Sequence, residues 1–360
     1  MNQYNPREPL LTPKFLRRFS ESGSVTLQDG ANRSKISVSR GSQGKRGAYM
    51  NLQDLTAQSI KIKDNIKKVI IGKDAEIDLI LASMLSGGHV LLEDVPGTGK
   101  TMLAKALAKS FDTEYGRIQF TPDLLPSDLT GINFYNPREN DFIFRKGSLF
   151  ANIILADEIN RATPRTQSGL LESMEEKQVT VDGETIPLTA PYFVIATQNP
   201  VETQGTYPLP EAQLDRFLMK LSLGYPEKSD SVNILKRFVR ESPMDTLSSV
   251  CSGNILIEMQ NFVKTIFIHD ELLNYIVDIA EATRQNEKII LGISSRGALA
   301  LMRASQSYAA LQGRAYVTPD DVKFLIPHVF SHRIITRGSA PDTLAVILSE
   351  IKTPVEDWKE

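Results

Sequence analysis

Two glycines, a lysine and a threonine stand in the order Gly97-Thr98-Gly99-Lys100-Thr101, between an apolar run and an Ala/Leu-rich one. Residues of these types at this spacing are suited to holding phosphate. Glycine lets backbone N–H groups turn toward an anion with no Cβ in the way. A helix opening at Lys100-Thr101 adds its free N-terminal donors and the positive end of its dipole. Lys100 would reach the outer phosphates of a nucleoside triphosphate, and Thr101 would place a hydroxyl on its magnesium ion. Short Gly-Lys-Thr strings also occur in ordinary strand-to-helix turns, so the flanks carry the argument. His89-Val90-Leu91-Leu92 reads as a buried strand, and residues 102–108 read as a helix. The nucleotide-holding set expected here is Pro96, Gly97, Thr98, Gly99, Lys100, Thr101 and Met102. One position departs from the general pattern, with Asp94 where a glycine is expected.

A second apolar run, Ile153-Ile154-Leu155-Ala156, ends in Asp157-Glu158. Charge at the end of a buried strand is costly unless it is paired or bound to metal. Beside a phosphate loop, Asp157 would hold Mg²⁺ through water, and Glu158 would polarise the attacking water. A third run, Phe193-Val194-Ile195-Ala196-Thr197-Gln198, is followed by Asn199-Pro200. Asn199 could bond to the terminal phosphate, although Asn before Pro is also a common turn start. Arg216 and Arg296 are two arginines that could stabilise a transferring phosphate; spacing alone favours reading either as a surface or ion-pair residue. His328 and His332 share a helical face, and His-Val-Phe-Ser-His lacks the Glu of a zinc protease motif.

These residues need a scaffold. Helical spacing of apolar residues predicts helices over 52–69, 78–85, 100–109 and 165–176. Strands are expected at 90–92, 115–120, 153–156, 192–197 and 218–223. Strand alternating with helix predicts an α/β fold with a parallel sheet covered on both faces. Two hairpins interrupt it, at 134–144 and at 179–186, the latter turning at Asp182-Gly183. Beyond Gly224-Tyr225-Pro226 the pattern is helical to the end, with Thr318-Pro319-Asp320-Asp321 as a clear helix start. The expected organisation is a basic tail without regular structure over 1–50, an α/β domain over 51–224 and a helical domain over 225–360. Residues 13–19 could form a short basic amphipathic turn, and Met50 is expected to be the translation start.

The chain has 360 residues, 41% hydrophobic and 23% charged, enough for about two domains with their own cores. The charge is uneven. Residues 1–50 hold nine Lys/Arg against three Asp/Glu, while the whole chain holds 41 against 43. The acidic body argues against nucleic acid as the main partner, except through the basic tail. A single cysteine, Cys251, leaves no intramolecular disulfide and fits a reducing compartment. No apolar run approaches the length of a transmembrane helix or of a signal-peptide core.

Together these strings resemble the MoxR family of AAA+ ATPases, from about residue 52 to the C-terminus. The resemblance rests on Val95-Pro96-Gly97-Thr98-Gly99-Lys100-Thr101, Phe120-Thr121-Pro122-Asp123-Leu124-Leu125-Pro126-Ser127-Asp128 and Leu155-Ala156-Asp157-Glu158-Ile159-Asn160-Arg161-Ala162. Ala196-Thr197-Gln198-Asn199-Pro200 and residues 209–217 complete it. In that family Asp94 looks like a subfamily mark. The resemblance implies a P-loop core with inserted hairpins, followed by an all-α lid. It makes Lys100 and Thr101 the Walker A pair, Asp157 and Glu158 the Walker B pair, and Asn199 sensor 1. Arg216 becomes an arginine finger acting on the neighbouring chain's ATP, and Arg296 a sensor 2 that closes the lid on its own. Ile71 and Gly72 would lie near the adenine. The cofactors implied are ATP and Mg²⁺. The partners implied are a homo-oligomeric ring, a hexamer, with a von Willebrand factor A-domain protein and a client protein, in the cytoplasm. The activity implied is ATP hydrolysis driving chaperone-like remodelling. A chelatase-type motor for metal insertion, a nucleotide-gated scaffold with little turnover and a DNA-remodelling motor are the alternatives.

Overall fold

The computed structural model of the chain describes residues 24–29, 32–37, 50–201, 205–239 and 243–354. By their contacts, residues 1–49 and 50–360 form two units. In the first, β1 (Ser24–Asp29) and β2 (Asn32–Ser37) pair antiparallel, with Asp29 opposite Asn32. The tail expected to be mostly without regular structure thus holds one strand pair among its described residues. The overlooked signal is Asp29-Gly30, a turn dipeptide flanked by the alternation of Val25 and Leu27. The amphipathic turn expected over 13–19 lies outside the described residues.

The second unit opens with α1 (Leu52–Lys67) and α2 (Asp74–Leu85). Asn51 starts α1 through a capping box with Asp54. The catalytic frame then alternates strand and helix: β3 (Val90–Glu93), α3 (Lys100–Ser110) and β4 (Tyr115–Gln119). A short α4 (Pro126–Thr130) leads into the hairpin β5 (Gly131–Asn136) and β6 (Asp141–Lys146). After β7 (Ile153–Asp157) and α5 (Pro164–Glu176) comes the second hairpin, β8 (Gln178–Val181) and β9 (Glu184–Pro187). Its Asp182 and Gly183 both have positive φ, +52° and +86°, as the tight two-residue turn requires. Asn133 donates to Asp182 at 2.9 Å and joins the two hairpins. Then follow β10 (Phe193–Gln198), a one-turn α6 (Glu211–Leu214) and β11 (Met219–Leu221).

The five long-range strands form one parallel sheet in the order β11-β3-β10-β7-β4. The carboxyl ends of its strands carry the polar residues singled out in the sequence. Helix α3 lies against the sheet with Leu103, Ala104 and Leu107 fully buried. Burial of this kind is worth roughly 1.5–3 kcal/mol per leucine.

The rest is helical: α7 (Lys228–Phe238), α8 (Gly253–Val263), α9 (Asp270–Gln285), α10 (Ser295–Leu311), α11 (Pro319–Phe330) and α12 (Ala340–Glu350). One short antiparallel pair interrupts the expected all-α pattern, β12 (Ile289–Leu291) with β13 (Ile335–Thr336). The largest of three apolar clusters among the described residues runs from Leu92 and Leu103 through Leu301, Leu325 and Val329. The sheet and the C-terminal helices therefore share one interior.

His89, just before β3, shows how tightly this interior is made. Its Nδ1 accepts from the Val194 N–H at 3.0 Å and its Nε2 donates to the Met174 carbonyl at 3.0 Å. Burial drives its pKa down to about 4. The folded pKa is below the unfolded value near 6.5, so the stabilisation is complete above pH 6.5 and is lost as pH falls toward 4. The amount at stake is about 3 kcal/mol. Urea midpoints measured at pH 7, 6 and 5 should fall more steeply for the wild type than for His89→Asn, which keeps an acceptor for Val194. Parallel slopes would remove His89 as the cause.

Candidate active site

A cavity of about 450 Å³ opens at the carboxyl end of the sheet, walled by the loop between β3 and α3. Gly97 and Gly99 sit at φ +87° and +91°, the left-handed region where glycine is unstrained. A Cβ on either would meet nothing within 4 Å, so conformation, not room, demands glycine there. Pro96, Thr98, Thr101 and Met102 also line the cavity. The Lys100 ammonium donates to the carbonyls of Asp94 (3.0 Å) and Val95 (3.2 Å), folded back onto its own loop.

Asp94 is the departure from the general motif, and the structure gives it a task. It is buried, and its carboxylate accepts from the Ser222 hydroxyl (2.8 Å), the Leu223 N–H (2.8 Å) and the Gly224 N–H (2.9 Å). Charge-assisted bonds of this kind are the strong ones. They pin the base of the phosphate loop to the segment leaving β11.

Across the cavity stand Asp157 and Glu158, at the end of β7. Asp157 Oδ1 accepts from the Thr197 hydroxyl at 2.8 Å, and that oxygen accepts the Glu158 N–H at 2.9 Å. Glu158 is left-handed, φ +58° and ψ +49°. For a non-glycine residue this costs of order 1–3 kcal/mol and is characteristic of working sites. Its carboxylate is held by Gln119 Nε2 at 2.9 Å and Arg161 Nε at 3.1 Å. Asn199 lines the cavity too. Its Oδ1 accepts from the Val201 N–H at 3.1 Å, so it starts a turn, and its amide donors have no partner among the described residues.

Three lining residues were not anticipated from the sequence: Arg117, Gln119 and Thr197. Arg117 donates to Asp157 at 2.8 Å and to Gln119 at 2.9 Å. The bond to Asp157 raises the Arg117 pKa, with burial opposing. Their signal is the two-residue period of β4, which puts Arg117 and Gln119 on one face. It becomes informative only once β4 is known to lie beside β7, with Gln119 opposite Asp157.

Four expected residues do not line the cavity. Ile71 and Gly72 stand apart from it; Gly72, at φ +70°, abuts Asp230 of α7, where a Cβ would come within 1.9 Å of a carboxylate oxygen. Arg216 and Arg296 lie together elsewhere. Arg216 Nε is 3.1 Å from one oxygen of Glu175, and an Arg296 terminal nitrogen is 2.8 Å from the other. Arg296 also faces Asp215 at 3.8 Å. Arg296 is not among the residues lining the cavity. Two carboxylates, Glu175 and Asp215, draw it beside Arg216 instead.

A phosphate loop at the carboxyl end of a parallel sheet, faced by a strand ending in two carboxylates and followed by a helical region, defines a P-loop ATPase domain of the AAA type. The comparisons agree. Residues 89–219 match the model of the ATPase family associated with various cellular activities (AAA), and residues 281–351 match the AAA lid domain. The chain is 48% identical to YeaC of Bacillus subtilis over 84% of this chain and 97% of that one. It is 40% identical to Chaperone MoxR1 of Mycobacterium tuberculosis, covering 75% of this chain and 74% of the relative. Identity to Protein MoxR of Paracoccus denitrificans is 30%, over 79% and 90%. A solved Cytophaga hutchinsonii structure, described as a candidate ATPase, superposes with a TM-score of 0.79 at 38% identity, over 84% of this chain and 97% of that one. The chain belongs to the MoxR family of AAA+ ATPases. Among the described residues no helix is long and apolar enough to cross a membrane.

Proposed function

We propose that this chain hydrolyses ATP at the interfaces of a ring, a hexamer, and uses the cycle to remodel or mature partner proteins in the cytoplasm. The observation that carries this is the separation of the cavity from the Arg216–Arg296 pair. The cavity gathers a phosphate loop, two carboxylates and an Asn. Among the described residues the arginine lining it is Arg117, which is engaged by Asp157 and Gln119. Two further arginines stand away from it, part-exposed and held ready by Glu175. A second copy of the chain could bring that pair to the first copy's phosphates. Both arginines then act on the neighbour, which changes the expected role of Arg296 from lid sensor to companion of the finger.

Within the cavity the loop N–H groups and Lys100 bind the phosphates, and Asn199 orients the terminal one or the water. Glu158 takes the proton from the attacking water. The hydroxyl of Thr101 and the carboxylate of Asp157 are hard oxygen donors in one cavity, so they fit magnesium. Bound with ATP, the ion would neutralise charge on the transferring phosphate. Ile71 and Gly72 are left without an assigned contact to the base. The client role rests on the family and on a relative named as a chaperone. A von Willebrand factor A-domain partner, and hairpins that face the ring surface or pore, complete the reading.

Sedimentation with a non-hydrolysable ATP analogue and Mg²⁺ should convert the protein to a species six chains in mass. A protein that stays monomeric at saturating nucleotide yet releases phosphate at an undiminished rate would overturn the interface mechanism.

A further inference from the structure

Arg333 follows α11 in the C-terminal helical region, more than a hundred residues from Arg216, yet it is built into the loop that carries Arg216. Its side chain is 3% exposed. Nε donates to Asp215 Oδ1 at 2.7 Å. One terminal nitrogen donates to the Leu218 carbonyl at 3.1 Å and to that of Val329. The other donates to the carbonyls of Asp215 (3.2 Å) and Phe217 (2.5 Å). A guanidinium this deeply desolvated persists only when its donors are met, and here a carboxylate and four carbonyls meet them. Gly297 makes the room: a Cβ there would lie 3.2 Å from Arg333 Cδ and 2.9 Å from Ile293 Cγ2. Asp215 is thus gripped on one oxygen by Arg333 and faced on the other by Arg296. Its neighbour in sequence is Arg216.

We infer that Arg333 is the positioning residue of the arginine pair. It makes the aim of Arg216 and Arg296 a property of where the C-terminal helices of the same chain sit. This rests on the reading that Arg216 serves the neighbouring chain's ATP. Arg333 itself touches no reacting atom. It fixes a loop whose side chain must be placed accurately, and a displacement of about 1 Å can cost about 10²-fold in rate.

Arg333→Lys keeps the charge and loses the planar fork. Rings of this variant should lose about 10²-fold in kcat, with KM for ATP nearly unchanged because the variant's own cavity is intact. Mixed with Lys100→Ala chains, which cannot turn over but present a normal Arg216, activity should return. It should reach the level that Arg216→Ala chains reach in the same mixture. If Arg216→Ala chains are not rescued, action in trans fails, and this inference with it. If they are rescued and Arg333→Lys chains are not, the inference alone fails, since Arg333 then acts on its own chain. An unchanged kcat overturns it as well. Binding of a fluorescent ADP analogue reports whether the cavity is folded. Should Arg333→Lys not bind, Asp215→Asn decides in its place, with the same kcat loss and the same rescue expected.

Discussion

Glu158→Gln should cut steady-state phosphate release by about 10²–10⁴-fold while leaving ATP binding within a few-fold. The expectation follows from what the substitution preserves. Gln has the size of Glu, and its carbonyl oxygen can still accept one bond from Gln119 or Arg161, the two groups that hold the carboxylate. The backbone bond to Thr197 and the left-handed turn are untouched. An amide cannot take a proton from water as a carboxylate can. Lys100, Thr101 and the glycine loop, to which the proposed function gives the binding, line the same cavity and are left unaltered. Phosphate release beside equilibrium nucleotide binding makes the check, and near-wild-type turnover would move the base elsewhere. The same variant, loaded with ATP and stalled, is the form best suited to retain a client for identification.

Arg216→Ala should lose turnover by about 10³–10⁵-fold, the range for a fixed guanidinium on a transferring phosphate. Its mark is that the loss can be repaired by a chain that is itself inactive. Arg216 does not line the cavity of its own chain. An Arg216→Ala chain therefore keeps a complete loop, Asp157 and Glu158, and needs only a neighbour's arginine. Lys100→Ala chains provide one. Mixtures should recover a substantial fraction of wild-type activity, and mixtures as inactive as their components would exclude an arginine supplied in trans. Removal of Arg216 also leaves Glu175 with Arg296 alone. Pairs this exposed contribute about 0–1 kcal/mol, so the melting temperature should scarcely move.

The cavity walls were legible because they obey local rules. Glycines at a strand-to-helix turn and carboxylates closing an apolar strand announce themselves within a few residues of chain. The five parallel strands and both hairpins follow from periodicity for the same reason. Arg117 and Gln119 were hidden by the sheet order. On a lone strand they are ordinary polar alternation, and only β7 lying beside β4 sets them against Asp157 and Glu158. Arg333 is hidden more deeply, since its partners at 215–218 lie far back along the chain and nothing around it marks a buried cation. The ion pairs of Arg296 were not legible, because motif position says which helix carries a residue, not which carboxylate it meets. Asp94 was visible as an exception, and its meaning required the three donors at 222–224.

Those donors have a mechanical consequence. Residues 215–224 are clamped near one end by Arg333 and at the other by Asp94, with β11 hydrogen-bonded between them. A ten-residue strut fixed at both ends has little slack. It transmits force instead of absorbing it. The helices after Gly224 are tied back to this segment through Arg333, so a shift of those helices relative to the phosphate loop would have to stretch or break one of the two clamps. The phosphate loop and the C-terminal helices thus hold the two ends of one short segment, and that segment carries Arg216.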